Sequence, residues 1–169
     1  LVIKQMEDYD RILKEQFGFL STDEGCCKTY TVPKEVGNGT IRNIFPCENA
    51  GLSIIRLNLR YPLVMQYDGY NSAFETTCCF SGHIAYSETG VTDTCLSQNE
   101  LGIYTKQNSK GMMMYPAGVN ITAVSLFGTD EFKQALPLAL TEVRSKNAEA
   151  AQLTDWLMEP KKSELPLIR

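Results

Sequence analysis

Between Gly51 and Tyr61 apolar and polar residues alternate: Ile55, Leu57, Leu59 and Tyr61 share one side of an extended chain, and Arg56, Asn58 and Arg60 share the other. Period-two alternation predicts a strand with one buried and one wetted face. Shorter stretches of the same kind cover Tyr30–Pro33, Ile41–Cys47, Phe74–Glu88, Thr94–Leu96, Leu101–Thr105 and the two strands within Met112–Phe127. Turn-forming residues separate them at Glu35–Gly39, Tyr67–Asn71, Thr89–Asp93, Asn99-Glu100 and Gln107–Gly111. Gly82, midway through the longest run, predicts a bulge or sharp bend. About eight short strands at intervals of roughly 8–12 residues predict a small antiparallel sandwich or barrel rather than βαβ units.

Helical periodicity flanks this region. Ile3, Met6, Tyr9, Ile12, Leu13 and Phe17 predict an N-terminal helix over Ile3–Phe17, ended by Gly18, and the polar stretch Ser21–Cys27 reads as a loop. After Phe127, Thr129 is a good N-cap, and Asp130 and Glu131 suit the positive end of a helix dipole. Pro137 ends that helix or starts the next. Leu138, Leu140, Val143, Ala148, Ala151, Leu153, Trp156 and Leu157 supply apolar positions for further helices. The organisation expected is an N-terminal helix and loop over 1–27, a barrel over 28–128, a helical arm over 129–159 and a polar linker over 160–169. Phe132, Leu136, Leu140, Val143 and Trp156 are the arm positions expected to dimerise or to couple the barrel to its partner.

Composition narrows the functional classes. The chain has 169 residues, 43% of them hydrophobic, and a net charge of -4. That is enough for one ordinary core; an acidic chain without a basic cluster does not hold a nucleic-acid backbone. No apolar run approaches the ~18 residues of a membrane span, and LVIKQMEDYD is too charged for a signal peptide, so a cytoplasmic protein without membrane contact is expected. A start at Leu1 and an end in SELPLIR suggest a piece of a longer chain.

Six cysteines include two adjacent pairs, Cys26-Cys27 and Cys78-Cys79, but no CxxC spacing. They read as reduced, mostly buried small hydrophobes. The sharper alternative is a redox or soft-metal sensor pairing Cys78 or Cys79 with Cys47 or Cys95. Catalysis finds little support. The single histidine, His83, cannot supply the several imidazoles of a metal-dependent barrel enzyme. Neither a GxSxG elbow nor a phosphate-binding glycine loop is present. No enzyme activity, metal or cofactor is therefore expected. Binding remains, with candidate ligand contacts at Ile55, Leu57, Leu59, Tyr61, Met113, Tyr115, Ile121, Ala123 and Ser125; the same positions equally suit a filled core.

Phe74 and the Phe80-Ser-Gly82 that follows it, then Met113-x-Tyr-Pro-Ala-Gly118, Ala123-Val-Ser-Leu126 and the helix start Thr129-Asp-Glu-Phe132 resemble the N-terminal sensory domain of AraC-type transcription regulators. The similarity runs from about Gly51 onward and looks closest to the siderophore-responsive pyochelin-regulator branch. It implies a cupin-like barrel or jelly roll that binds a small-molecule effector, siderophore-like or a hydrophobic metabolite. It also implies a helical arm for homodimer contacts, and DNA contact only through a helix-turn-helix domain absent from this chain. In arabinose-type members an effector contact falls at the position of Tyr61. One departure is Gln98-Asn-Glu100, which replaces the family's Pro-Gly-Asp turn.

Overall fold

The structure, a computed structural model, describes residues 2–3, 6–90 and 93–135. Among them are strands β1 (Val2–Ile3), β2 (Leu20–Glu24), β3 (Cys27–Thr31), β4 (Gly37–Cys47), β5 (Ala50–Leu59), β6 (Leu63–Ser81), β7 (His83–Glu88), β8 (Thr94–Ser97), β9 (Glu100–Tyr115) and β10 (Asn120–Gly128). Helix α1 (Met6–Arg11) runs on as a π-helical turn over Ile12–Gln16. The strands pair in the order β2-β3-β4-β5-β10-β6-β9-β7-β8, with β1 added to β6 as a parallel neighbour.

A flat sheet this wide would leave its apolar faces far apart. Here Tyr30 of β3, Ile41 of β4, Ile55, Leu57 and Leu59 of β5, Ile121 and Ala123 of β10, Met65 of β6, Tyr115 of β9, Ile84 of β7 and Leu96 of β8 all belong to one buried cluster. The strand path therefore curls around a shared core, and α1 with its π-turn contributes Ile12 and Leu13 to it. The chain is mainly β, as its strand pattern predicts. On β5 the alternation is obeyed residue by residue: Ser53, Ile55, Leu57 and Leu59 are buried, and Arg56 is exposed.

Several expectations are corrected. The predicted helix over Ile3–Phe17 begins only at Met6, because Val2 and Ile3 pair in extended form with Gln66 and Tyr67. Ser21–Cys27 is not a loop: Leu20–Glu24 is an edge strand paired with β3, and an edge whose side chains are mostly wetted shows no apolar period to read. The turns expected at Tyr67–Asn71 and Gln107–Gly111 lie inside β6 and β9, where Asp68 pairs with Lys110 and Tyr70 with Ser109. Their turn-prone residues serve register shifts along that pairing, and Asn108 takes the left-handed backbone conformation, with φ 49°. The replaced family turn at Gln98-Asn-Glu100 still closes tightly. Asn99 has φ 65°, its N–H donates to the Cys79 carbonyl at 2.7 Å, and the Ser97 N–H donates to Glu100 Oε2 at 2.8 Å.

Two glycines behave differently from each other. Gly82 has φ +74° between β6 and β7, next to a register shift at β10, so the expected bend is present. The Asn38-Gly39 turn signal misleads: the turn precedes it, and Gly39 sits within β4 with φ +128°. A Cβ there would lie 2.1 Å from the Arg56 carbonyl oxygen of β5. Glycine is needed because two backbones meet, not because the chain reverses.

The helical segment is pinned to β3 by charge. Asp10 receives Lys28 Nζ at 2.7 Å and Lys14 Nζ at 3.2 Å, the Tyr30 hydroxyl donates to it at 2.8 Å, and Tyr9 meets the Tyr30 ring edge-on. Burial pushes the Asp10 carboxyl up, but hydrogen bonds from Lys28, Tyr30 and Lys14 outweigh that and hold it below the usual carboxylate range.

Gly39→Ala is expected to destabilise the protein by about 1–3 kcal/mol, read as a lower urea midpoint at unchanged slope. Asp10→Ala should cost about 1–2 kcal/mol at neutral pH, the scale of hydrogen bonds to a charged group. Because the folded-state value is depressed, this contribution is complete above about pH 4 and is lost as pH falls through that lower value. Parent and Asp10→Asn melting curves should accordingly converge in acid; a gap that persisted at about pH 2 would show that the carboxylate charge is not the source.

Candidate functional site

The shared core is not filled evenly. Toward the end of β5 that carries Leu57 and Leu59, the interior is packed, and Leu63 and Ile121 are buried there too. Toward the other end the inward side chains become polar or aromatic, and a cavity of about 80 Å³ opens. Strand β5 supplies Ser53 and Ile55 to the walls; β6 supplies Met65, Tyr67, Glu75 and Thr77; β10 supplies Ser125 and Phe127. Met113 and Tyr115 come from β9, Tyr86 from β7, Ile3 from β1 and Tyr9 from α1.

Strand register explains the grouping. Ser125 of β10 stands opposite Ser53 of β5 and Thr77 of β6, so three small hydroxyl side chains meet where large apolar ones would close the core. Thr77 Oγ1 and Ser125 Oγ are 2.8 Å apart, and the Ser53 hydroxyl donates to the Asn43 Oδ1. These bonds satisfy groups that would otherwise be costly to bury. The rest of the wall sets four phenols, Tyr9, Tyr67, Tyr86 and Tyr115, beside Ile3, Ile55, Met65, Met113, Glu75 and Phe127. Burial, with the Glu75 charge second, pushes the Tyr9 phenol far above its ordinary value. Burial likewise raises Tyr86 and Tyr115, with neighbouring tyrosines and Glu75 adding to it. Tyr104 is raised by burial and by Glu75, against a hydrogen bond with Tyr86 that pulls it down. Tyr67 is raised by burial and then by Glu88, whose Oε2 lies 3.4 Å from the Tyr67 hydroxyl. The phenols are thus neutral at physiological pH, and the tyrosines offer rings and hydroxyls rather than charge.

Of the sequence-derived ligand positions, Ile55, Met113, Tyr115 and Ser125 are brought together on this cavity. Leu57, Leu59, Ile121 and Ala123 face the same interior but lie in its packed end. Tyr61 goes elsewhere: β5 ends at Leu59, and Tyr61, just before Pro62, is 67% exposed. The alternation that placed it on the inner face stops two residues earlier. Sequence reading does not single out Ile3, Tyr9, Ser53, Met65, Tyr67, Glu75, Thr77, Tyr86 and Phe127, which also line the cavity. The period-two pattern running through Glu75, Thr77 and Cys79 was available, but without the pairing nothing distinguished the inner face.

Phe132, expected in the arm, packs within the chain. Its ring is 5.9 Å from Phe74, and both belong to a small second cluster with Ile103, Leu101 and Leu126. Thr129 Oγ1 accepts the Phe132 N–H at 3.5 Å, and residues 130–135 are helical. Leu136, Leu140, Val143, Trp156 and the linker over 160–169 lie outside the described residues. Phe74 and Glu75 are adjacent on β6, as Leu126 and Phe127 are on β10; in each pair one residue lines the cavity and the other touches the helix cluster.

The cysteines are all free thiols. Cys79 is fully buried and its thiol is raised by burial, while Cys78 on the opposite strand face is half-buried. Cys27 is buried with Arg42 Nε donating to its sulfur at 2.9 Å, and Cys26, Cys47 and Cys95 are exposed. Among the described residues no group of three or more His, Cys, Asp or Glu side chains is placed to hold a metal ion. Nor is any described helix long and apolar enough to cross a membrane.

No protein-family model matches the chain, and no curated protein does. Solved structures are similar in fold. ToxT from Vibrio cholerae is similar over 72% of this chain and 42% of its own, at 10% identity and a TM-score of 0.46. A point mutant of the Bacillus subtilis oxalate decarboxylase OxdC is similar over 65% of this chain and 27% of its own, at 12% identity and a TM-score of 0.41. An RmlC-like cupin protein from Methanocaldococcus jannaschii, with a double-stranded β-helix fold, is similar over 65% of this chain and 88% of its own, at 9% identity and a TM-score of 0.39. The chain thus spans less than half the length of the ToxT and OxdC structures.

Proposed function

We propose that this chain is the effector-binding domain of a bacterial AraC-type transcription regulator, acting as a homodimer in the cytoplasm without catalysis of its own. DNA contact belongs to a helix-turn-helix part of the full-length protein. The observation that carries the reading is the tyrosine-lined cavity at the unfilled end of the β core, whose walls are contiguous with the contacts of the helix that starts after Thr129. The motifs of Met113–Gly118, Ala123–Leu126 and Thr129–Phe132 support the regulator class. Placement near the pyochelin-regulator branch rests on those motifs alone. An enclosed volume of about 80 Å³, against the roughly 150 Å³ of an apolar cavity that takes benzene, favours an effector that places only a few non-hydrogen atoms inside over one of siderophore size.

The mechanism is a population shift. A ligand against Glu75 and Phe127 bears on Phe74 and Leu126, their strand neighbours, and through them on Phe132 at the start of the arm. It changes the arm only to the extent that it binds one arrangement better than the other.

Screening the protein against small metabolites by thermal shift should give at least one ligand that, at about one hundred times its Kd, stabilises by roughly 2.7 kcal/mol. For a domain of this size that is a rise in Tm of roughly 5–10 °C. Ser125→Leu, which fills the cavity, should remove the shift while leaving a cooperative melt. A broad library that never stabilised the parent would count decisively against an effector cavity. Phe132→Ala should leave ligand affinity within about threefold of the parent but reduce the ligand's effect on transcription in the full-length protein; an unchanged response would remove Phe132 from the route.

A further inference from the structure

Strand β5 changes the character of its outer face along its length. Its outward side chains are Leu52 and Ile54 at the end that carries Ser53, and Arg56 and Asn58 at the other. The neighbouring strands follow the same division. By register Leu52 stands between Ile44 of β4 and Leu126 of β10, Ile54 stands beside Val124, and Val124 stands beside Cys78 of β6. All six are half-buried. A sheet face meant for water turns polar, as this one does at Arg56 and Asn58. A contiguous apolar area marks a contact surface instead. The patch lies on the back of the strands whose inward residues Ser53, Thr77 and Ser125 line the cavity.

One edge of the patch is already occupied. The helix that starts after Thr129 brings Phe132 into a cluster with Phe74, Leu101, Ile103 and Leu126, and Leu101 and Ile103 stand opposite Cys78 and Thr76 on this same outer face. We propose that the rest of the patch is the docking surface for the chain's own segment 136–157, which lies outside the described residues. The arm continues from Phe132 across the backs of β10 and β5 toward Ile44, setting apolar side chains such as Leu140, Val143 and Trp156 on the sheet. Its length suffices. From β9 to β4 there are four inter-strand steps, about 19 Å at ~4.8 Å each, which about 13 helical residues span at ~1.5 Å per residue. The segment holds more than that. This inference stands apart from the effector reading, because the patch and the Phe132 cluster are there whether or not the cavity takes a ligand.

Arg144 and Lys146 lie within the segment, and Trp156 is the chain's single tryptophan, so trypsin and fluorescence both read the arm in the intact chain. Cleavage after Arg144 and Lys146 should be at least about tenfold slower in the parent than in a free peptide of residues 138–150. Ile54→Glu and Val124→Glu should each raise that rate by about tenfold and shift Trp156 emission to the red, with the β-sheet circular dichroism retained. Arg56→Gln, on the polar half of the same face, should change neither. Should the patch variants not fold, Leu140→Glu reads the contact from the other side: alkylation of half-buried Cys78 should quicken by about fivefold or more, and that of exposed Cys95 should not. Parent cleavage at the peptide's rate, patch variants cleaved at the parent's rate, or unchanged Cys78 alkylation overturns the docking. Protection that grows with protein concentration, in step with dimer mass by sedimentation, gives the patch to a second copy and overturns the chain's own arm as occupant. None of these results bears on the metabolite screen, which judges the effector reading separately.

Discussion

Strand β6 hydrogen-bonds along both edges: Leu63 to Cys79 pair with β9 on one side, while Phe74 to Ser81 pair with β10, and Gln66 and Tyr67 with β1, on the other. This two-sided pairing is the constraint on which the rest of the structure depends. It joins the β2-β3-β4-β5-β10 arm of the sheet to the β9-β7-β8 arm, and it fixes which of β6's residues look inward. A slip of one residue would exchange Glu75, Thr77 and Cys79 for Phe74, Thr76 and Cys78 at the interior. The central register shifts let so long a pair bend without breaking that alternation at either end.

The interior has a packed end and an open one. At one end Leu57, Leu59, Leu63 and Ile121 pack to near-zero exposure. At the other, Ser53, Thr77 and Ser125 meet on three adjacent strands, and hydroxyls too small to fill the space leave it open. Their mutual and Asn43 hydrogen bonds limit the cost of being polar there. The open end forgoes dispersion contacts and apolar burial, which the packed end and the Asp10–Lys28–Tyr30 pinning of the helix offset.

The cavity wall and the helix contacts are two faces of the same strands. Since successive strand residues point to opposite sides, Glu75 with Phe74, and Phe127 with Leu126, span the sheet thickness at the point where the helix begins. Under the proposed reading, a change in the cavity would reach Phe132 through the strand backbone itself, without a separate relay.

The sequence by itself determined the mainly β class, the inner face of β5, the bend at Gly82, the release into a helix after Phe127 and the absence of a histidine-rich centre. Those features are local: alternation, a glycine, an N-cap and a composition. It also pointed to Ile55 through the alternation of β5, and to Met113, Tyr115 and Ser125 through the Met-Tyr run and the final strand before the helix. What only the tertiary structure decided was non-local. The polar edge strand Leu20–Glu24 exists because β3 pairs with it. The turn-like segments around Gly69 and Asn108 are bulged strand because β6 and β9 pair through them. Gly39 is required by the approach of the Arg56 carbonyl rather than by a turn. Tyr9, Tyr67, Glu75 and Tyr86 come from three elements, α1, β6 and β7, and nothing in their own neighbourhoods marks them as companions. Side-chain period reports which way a residue faces, but only strand order and register say what it faces, and the cavity is made of the second kind of information.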